Sequence, residues 1–198
     1  MVVFGITGGS GSGKTSVSKM LEKLGVHIID TDVIAHEIVE PNSDCLNELV
    51  DYFGDSILND DKTLNRKKLA SIAFSDKQKT EALSNITHKY IRGEVVKDIN
   101  TTDAELVGID GAVIIGSNVE PLCEFIVSVI ADKQSRITRI KTRDNITDEQ
   151  AIQRINAQND DEFYKENSMY IIYNNGDITQ LESDVVGLFN KIKGNSFE

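Results

Sequence analysis

The stretch GITGGSGSGKTSV, residues 5–17, contains Gly8-x4-Gly13-Lys14-Thr15. This is the spacing of a loop whose glycines let main-chain N–H groups wrap a phosphate. Such a loop works between a strand and a helix, because the helix N-terminus adds positive potential. Both neighbours are legible. VVFGIT, residues 2–7, is an apolar, β-branched run of the kind buried in parallel sheets. From Lys14 to Leu24, the residues Val17, Met20, Leu21 and Leu24 share one helical face, and Gly25 supplies the stop.

Four more short apolar runs read as strands: VHIID at 26–30, LVGID at 106–110, FIVSVIA at 125–131 and MYIIYNN at 169–175, the last stopped by Asn-Asn-Gly. Strands alternating with helical segments predict an α/β fold with a five-stranded parallel sheet in a three-layer core. Residues 33–101 hold no convincing strand and carry helix candidates at 43–53, 65–73 and 77–99, so they read as an inserted helical subdomain. A second helical excursion covers 132–167, where Thr147 and Gln150 form a capping-box pattern. The core is then 1–32 with 102–131 and 168–198.

Composition narrows the partners. The chain has 198 residues and a formal net charge of −11, which argues against a nucleic-acid binder. One segment departs from this balance: KQSRITRIKTR, residues 133–143, holds five basic residues and no acidic one. A local basic segment on an acidic protein suits a small anionic ligand. Cys45 and Cys123 form no C-x-x-C and no zinc spacing, and read as two reduced thiols. No signal peptide and no apolar run of about 20 residues is present, so a cytoplasmic protein with no membrane partner is expected.

Phosphate loops serve switches, motors and metabolic enzymes. A guanine reader N-K-x-D is absent, as is the L-S-G-G-Q of transporter ATPases, and Asp51-Tyr52-Phe53-Gly54 reads as a helix end. A small kinase remains. In it Lys14 reaches the β- and γ-phosphates and the Thr15 hydroxyl ligates Mg²⁺. Asp30-Thr31-Asp32 ends the second strand, on the sheet edge where parallel sheets bind ligands. Either aspartate can align an acceptor hydroxyl as its base or cap the next helix. Asp110 ends the third strand, either as a Mg²⁺-holding carboxylate or as a turn residue. Arg136, Arg139 and Arg143 are spaced by three and four, so they share a helix face that either closes over phosphates or stays solvated. Arg154 and Gln158 are expected to share a face of the helix that follows. The three histidines have no metal spacing. His36 stands one helical turn beyond Asp32, and His27 reads as structural.

These residues resemble the dephospho-coenzyme A kinase family. The similarity runs through GITGGSGSGKT, LGVHIIDTDVIAHEIVEP, FGDSIL, LNRKKLASIAF, ITHKYI, QSRITRIKTRDNITDEQAIQRINAQ and IIYNNGDITQLESDV, roughly residues 2–190. The resemblance implies transfer of the γ-phosphate of ATP to the ribose 3′-hydroxyl of dephospho-coenzyme A. It implies ATP on Gly11, Ser12, Gly13, Lys14, Thr15 and Ser16, with Asp32 as general base. It further implies that 33–101 holds the acceptor, that 132–167 is a lid carrying Arg139 and Arg143, and that Asn174, Asn175 and Gly176 turn near the adenine, with Asn175 in contact. Two departures stand out. Where the family has D-x-P-L-L-[FV]-E, this chain has Asp110 followed by Ala112 and Gly116 at the proline and glutamate positions. Its His-Pro pair is His88-Lys89 here. Two other expectations therefore stay open: a kinase for another small hydroxyl or monophosphate acceptor, and a nucleotide-binding protein without transferase activity.

Overall fold

The computed structural model describes residues 1–195. Residues 196–198, the end of the core segment expected at 168–198, lie outside the described residues. The chain divides into two compact units, Thr31–Asn100 and the remainder on either side of it.

The larger unit is built on five parallel strands: β1 (Val2–Thr7), β2 (His27–Asp30), β3 (Leu106–Asp110), β4 (Phe125–Ile130) and β5 (Tyr170–Tyr173). Their order is β2-β3-β1-β4-β5. Each expected strand is present, within one or two residues of its sequence limits. β1 is central, with Ile6 opposite Asp110 on one side and Val127 on the other. The central strands are apolar throughout because helices cover both faces of a parallel sheet. The connection from β1 leads to one side of the sheet, and later strands return to the other. This reversal opens a crevice at the C-terminal end of β1, where the glycine loop lies.

Helix α1 (Lys14–Lys23) and the terminal helix (Ile178–Asn195) bury a common core. Val17 and Leu21 pack in it with Phe4, Ile6, Val127 and Val129 of the sheet. The terminal helix adds Leu181, Val185, Leu188 and Ile192, which recur every three or four residues. The sequence reading assigned no helix there, although this spacing marks one; once buried, each of these side chains adds roughly 1.5–3 kcal/mol.

Within the smaller unit, α2 (Thr31–Glu37), α3 (Asp44–Phe53), α4 (Arg66–Ala73) and α5 (Lys77–Thr101, whose last residue passes the unit's limit) follow in order. Ser43 caps α3 through the N–H of Leu46, and Asn65 caps α4 through that of Lys68. Gly54 ends α3 at φ 83°, so the Asp51–Gly54 stretch is a helix end. The single strand-like feature among its described residues is a bridge between Leu58 and Leu64. α5 runs unbroken through His88-Lys89. Lys89 Nζ and the Tyr90 hydroxyl both donate to Glu48 Oε2 at 2.7 Å, which pins α5 to α3 and holds the Glu48 carboxyl below its usual range.

Three helices follow β4 in the larger unit: α6 (Lys133–Asp144), α7 (Asp148–Asn156) and α8 (Asp161–Glu166); the terminal helix is α9. Ile137 and Ile140 of α6 meet Ala151 and Ile155 of α7 in a small core of their own. Thr147 and Gln150 close the capping box at the start of α7.

Candidate active site

The site starts from the backbone of the glycine loop. Gly11 and Gly13 have φ of 78° and 90°, a region that costs a side-chain-bearing residue about 1–2 kcal/mol. Gly13 caps α1, and Ser16 N–H and Val17 N–H both return to its carbonyl. By helix geometry the N–H groups of Lys14 and Thr15 have no carbonyl one turn before them, so they are available to an anion. The Ser12 hydroxyl is buried without a hydrogen-bond partner among the described residues. Thr15 and Ser16 are exposed.

The outer side of the loop is clamped. Arg139 Nη1 donates to the carbonyl oxygens of Gly11 (3.1 Å) and Ser12 (3.2 Å), and its Nη2 donates to Asn174 O (3.0 Å) and Oδ1 (3.1 Å). Asn174 Nδ2 donates to Ser12 O at 2.8 Å. In a trans peptide C=O and N–H point in opposite directions, so holding the Ser12 carbonyl outside turns the Gly13 N–H inward. Asn174 is buried at the end of β5; the resemblance puts it in a turn near the adenine, and its bonds to Ser12 and Arg139 add a hold on the loop that the sequence reading does not supply. Its signal was a polar residue closing an apolar strand. Asn175 is exposed, and its Oδ1 accepts from Asp132 N–H at 3.0 Å, tying the turn after β5 to the start of α6.

Lys14 Nζ forms an ion pair with Asp110 Oδ1, both side chains being largely buried. Asp110 reaches this point because β3 lies beside β1, and Gly111 N–H donates to Ile6 O at 3.1 Å. Asp30 is the register partner of Asp110 at the end of β2. Among the described residues no group of three or more His, Cys, Asp or Glu could hold a metal. Mg²⁺ needs no such cage: one or two hard oxygen ligands and phosphates suffice, and the Thr15 hydroxyl with the Asp110 carboxylate fits that donor set. Asp32 is the second residue of α2, in a first turn that favours an acidic group. Its main-chain oxygen accepts a 2.8 Å bond from His36 Nδ1, so that ring nitrogen carries a proton.

The three arginines of α6 have separate environments. Arg139 grips the loop carbonyls. Arg136 is 6% exposed. Arg143 is exposed and donates from Nε (2.8 Å) and Nη2 (2.9 Å) to the two oxygens of Asp144, which also pairs with Arg154. These guanidinium groups, Arg143 first, pull the Asp144 carboxyl down to about 2. Gln158 does not share a helical face with Arg154. α7 ends at Asn156 with Ala157 as its cap, and Gln158 stands in the connector beyond.

The segment after β3 turns early. Thr7 Oγ1 donates to Ala112 O at 3.3 Å, and Gly116, at φ 77°, donates its N–H to Glu120 Oε2 at 2.6 Å. That left-handed backbone suits glycine and disfavours a glutamate. A cavity of about 220 Å³ lies beside this segment, lined by Thr7, Ala112, Val113, Gln158, Phe163 and others.

A family model for dephospho-CoA kinase matches residues 2–180. The dephospho-CoA kinase of Lactobacillus johnsonii is 34% identical over 95% of this chain and 96% of its own. That of Listeria monocytogenes is 35% identical over 91% and 92%. Among solved structures, a Thermus thermophilus protein is 25% identical at TM-score 0.83, covering 96% of this chain and 97% of its own. The dephospho-CoA kinase of Campylobacter jejuni is 26% identical at TM-score 0.69, covering 98% of each. A shikimate kinase of Bacteroides thetaiotaomicron, 18% identical at TM-score 0.53 and covering 97% of this chain and 98% of its own, shares the fold. With its glycine loop at the sheet's switch point and a family match along nine-tenths of its length, the chain belongs to the dephospho-CoA kinase family.

Proposed function

We propose that this protein transfers the γ-phosphate of ATP to the ribose 3′-hydroxyl of dephospho-coenzyme A, giving coenzyme A and ADP. The observation that carries this is the complete phosphate loop, with Lys14 paired to Asp110 at its mouth, in a chain of this family. In the transfer the acceptor oxygen forms a bond to the γ-phosphorus, the bond from that phosphorus to the bridging oxygen breaks, and ADP leaves. The 3′-hydroxyl proton passes to Asp32.

Gly11, Ser12, Gly13, Lys14, Thr15 and Ser16 bind the nucleotide phosphates. Lys14 exchanges its Asp110 partner for the β- and γ-phosphates. Thr15 and Asp110 would hold Mg²⁺, which would supply charge neutralisation to the phosphates when bound. Arg139 acts by holding loop carbonyls outward, and Arg143 turns from Asp144 to the γ-phosphate as charge develops. Asn175 borders the adenine. Residues 33–101 hold the acceptor and 132–167 form the lid. Positioning and charge neutralisation account for most of the rate in such a site. The net charge of −11 supports a small-molecule partner over nucleic acid, and no described helix is long and apolar enough to cross a membrane. Work in the cytoplasm is part of the same proposal.

One observation favours a second acceptor: the Gly116 turn replaces the family's glutamate at the segment after β3. ADP release from MgATP, with and without dephospho-coenzyme A, and the mass of the product separate the two. A gain of one phosphate on dephospho-coenzyme A is the expected result. ADP release only with a different hydroxyl or monophosphate acceptor supports the second. Asp32→Asn is expected to cripple turnover at near-normal ATP affinity, and Lys14→Ala to abolish nucleotide-dependent activity. Turnover within a few-fold of wild type in Asp32→Asn rules that residue out as the base.

A further inference from the structure

We propose that Arg136 and Gln158 form a positioning brace that sets the tip of the phosphate loop at Ser10, and so sets ATP affinity from the lid side. Arg136 Nε donates to Ser10 O at 2.9 Å. Gln158 Oε1 accepts from Ser10 N–H at 2.8 Å and from Arg136 Nη2 at 3.3 Å. Ser10 N–H belongs to the peptide before its Cα, and Ser10 O to the peptide after it. The two side chains therefore hold both peptide planes that flank one residue, which fixes its φ and ψ together.

The burial of Arg136 supports a built role. A guanidinium this enclosed persists only where its N–H groups are met. Its three partners are Ser10 O, Gln158 Oε1 and Asp161, whose carboxylate is 3.7 Å from Nη1. The fit leaves no slack: a Cβ built on Gly9 would collide with Arg136 Nη2, and one on Gly11 would lie 2.7 Å from Arg136 O. Ser10 follows two glycines and precedes a third, in backbone that has little conformational preference of its own. Without the brace the tip samples several arrangements, and an incoming triphosphate must order it at an entropic cost.

Both brace residues come from the 132–167 segment, Arg136 from α6 and Gln158 from the α7–α8 connector. Arg139 holds the loop further on, at Gly11 and Ser12. The lid segment thus contributes two successive grips on the loop, and neither needs to touch the nucleotide. The functional weight of the brace rests on the kinase activity proposed above.

The test is a double-mutant cycle of Arg136→Lys and Gln158→Leu, read by steady-state kinetics and by calorimetric titration with ADP. Lysine keeps the charge but loses the fork that spans Ser10 O and Gln158. Each single variant is expected to raise the ATP KM about tenfold, to weaken ADP to a similar degree, and to leave the acceptor KM unchanged. The double variant is expected to be no worse than the poorer single one, because one device is lost only once. Unchanged ATP KM and ADP affinity in either folded variant overturns the proposal, as do fully multiplicative losses. Gln158 is only partly buried, so Gln158→Leu decides the matter if Arg136→Lys fails to fold. Wild-type protein that binds ADP but shows no dephospho-coenzyme A-dependent turnover overturns the kinase activity instead, and the ADP titrations still decide the brace.

Discussion

Asn174 and Ser12 are 162 positions apart in the chain, yet the Asn174 amide donates to the Ser12 carbonyl in a buried 2.8 Å hydrogen bond. The end of β5 thereby determines how the phosphate loop presents its N–H groups. Asn174→Leu, similar in volume, removes this bond and the Oδ1 that accepts from Arg139. A buried hydrogen bond lost this way costs about 1–3 kcal/mol. We expect a lower urea midpoint and an ATP KM raised on the order of tenfold, since about 1.4 kcal/mol corresponds to a factor of ten. An unchanged KM would mean that Arg139 alone holds the Ser12 peptide.

Gly13→Ala strikes the same contact from the other side. A Cβ there would overlap Asn174 Nδ2, and φ 90° disfavours alanine by about 1–2 kcal/mol. The sheet core does not depend on this residue. The expected outcome is a folded protein, by circular dichroism, with ADP binding lost in a calorimetric titration.

Asp144 carries a pH signature. Its carboxyl lies at about 2 against an ordinary 3.8, because Arg143 and Arg154 favour the ionised form. A folded-state value below the unfolded one stabilises the fold above the ordinary value, and the gain disappears as pH falls from about 4 through 2. The urea midpoint of wild type should exceed that of Asp144→Asn at pH 6, and the difference should close towards pH 2. The arginines are substantially exposed, so added salt should shrink the difference.

Gly187 stands inside α9, where an added Cβ would meet no atom within 4 Å. Gly187→Ala should stabilise the protein by about 0.8–1 kcal/mol through helix propensity. In a chain of this size that corresponds to a melting temperature about 2–4 °C higher. A fall would show that the groove along Tyr170–Tyr173 and Leu188 needs the glycine.

Local pattern carried most of the architecture. The glycine loop between an apolar strand and an amphipathic helix was readable because each part has its own period or its own backbone requirement. The five strands were legible as short β-branched runs closed by turn residues, and the inserted helices as the candidates at 43–53, 65–73 and 77–99; the Ser43 and Asn65 caps that start two of them came from the structure. α9 escaped, although Leu181, Val185, Leu188 and Ile192 mark its face. Its apolar stripe is unbroken at helical spacing, but glycine and charged residues stand between its members in the sequence, and the surface it covers lies on distant strands.

The sequence by itself determined that this chain holds a phosphate loop, on which strand, and with which lysine and hydroxyl. Tertiary structure alone decided what surrounds that loop. Helical spacing puts Arg136, Arg139 and Arg143 on one face, yet only the packing of α6 against the loop gives Arg136 to Ser10 and Arg139 to Gly11 and Ser12, while Arg143 turns to its chain neighbour Asp144. Asn174 and Gln158 belong to the same class. A hydrogen bond between residues more than a hundred positions apart leaves no periodicity in either segment, because it depends on strand order and helix docking, and these are settled by burial over the whole chain.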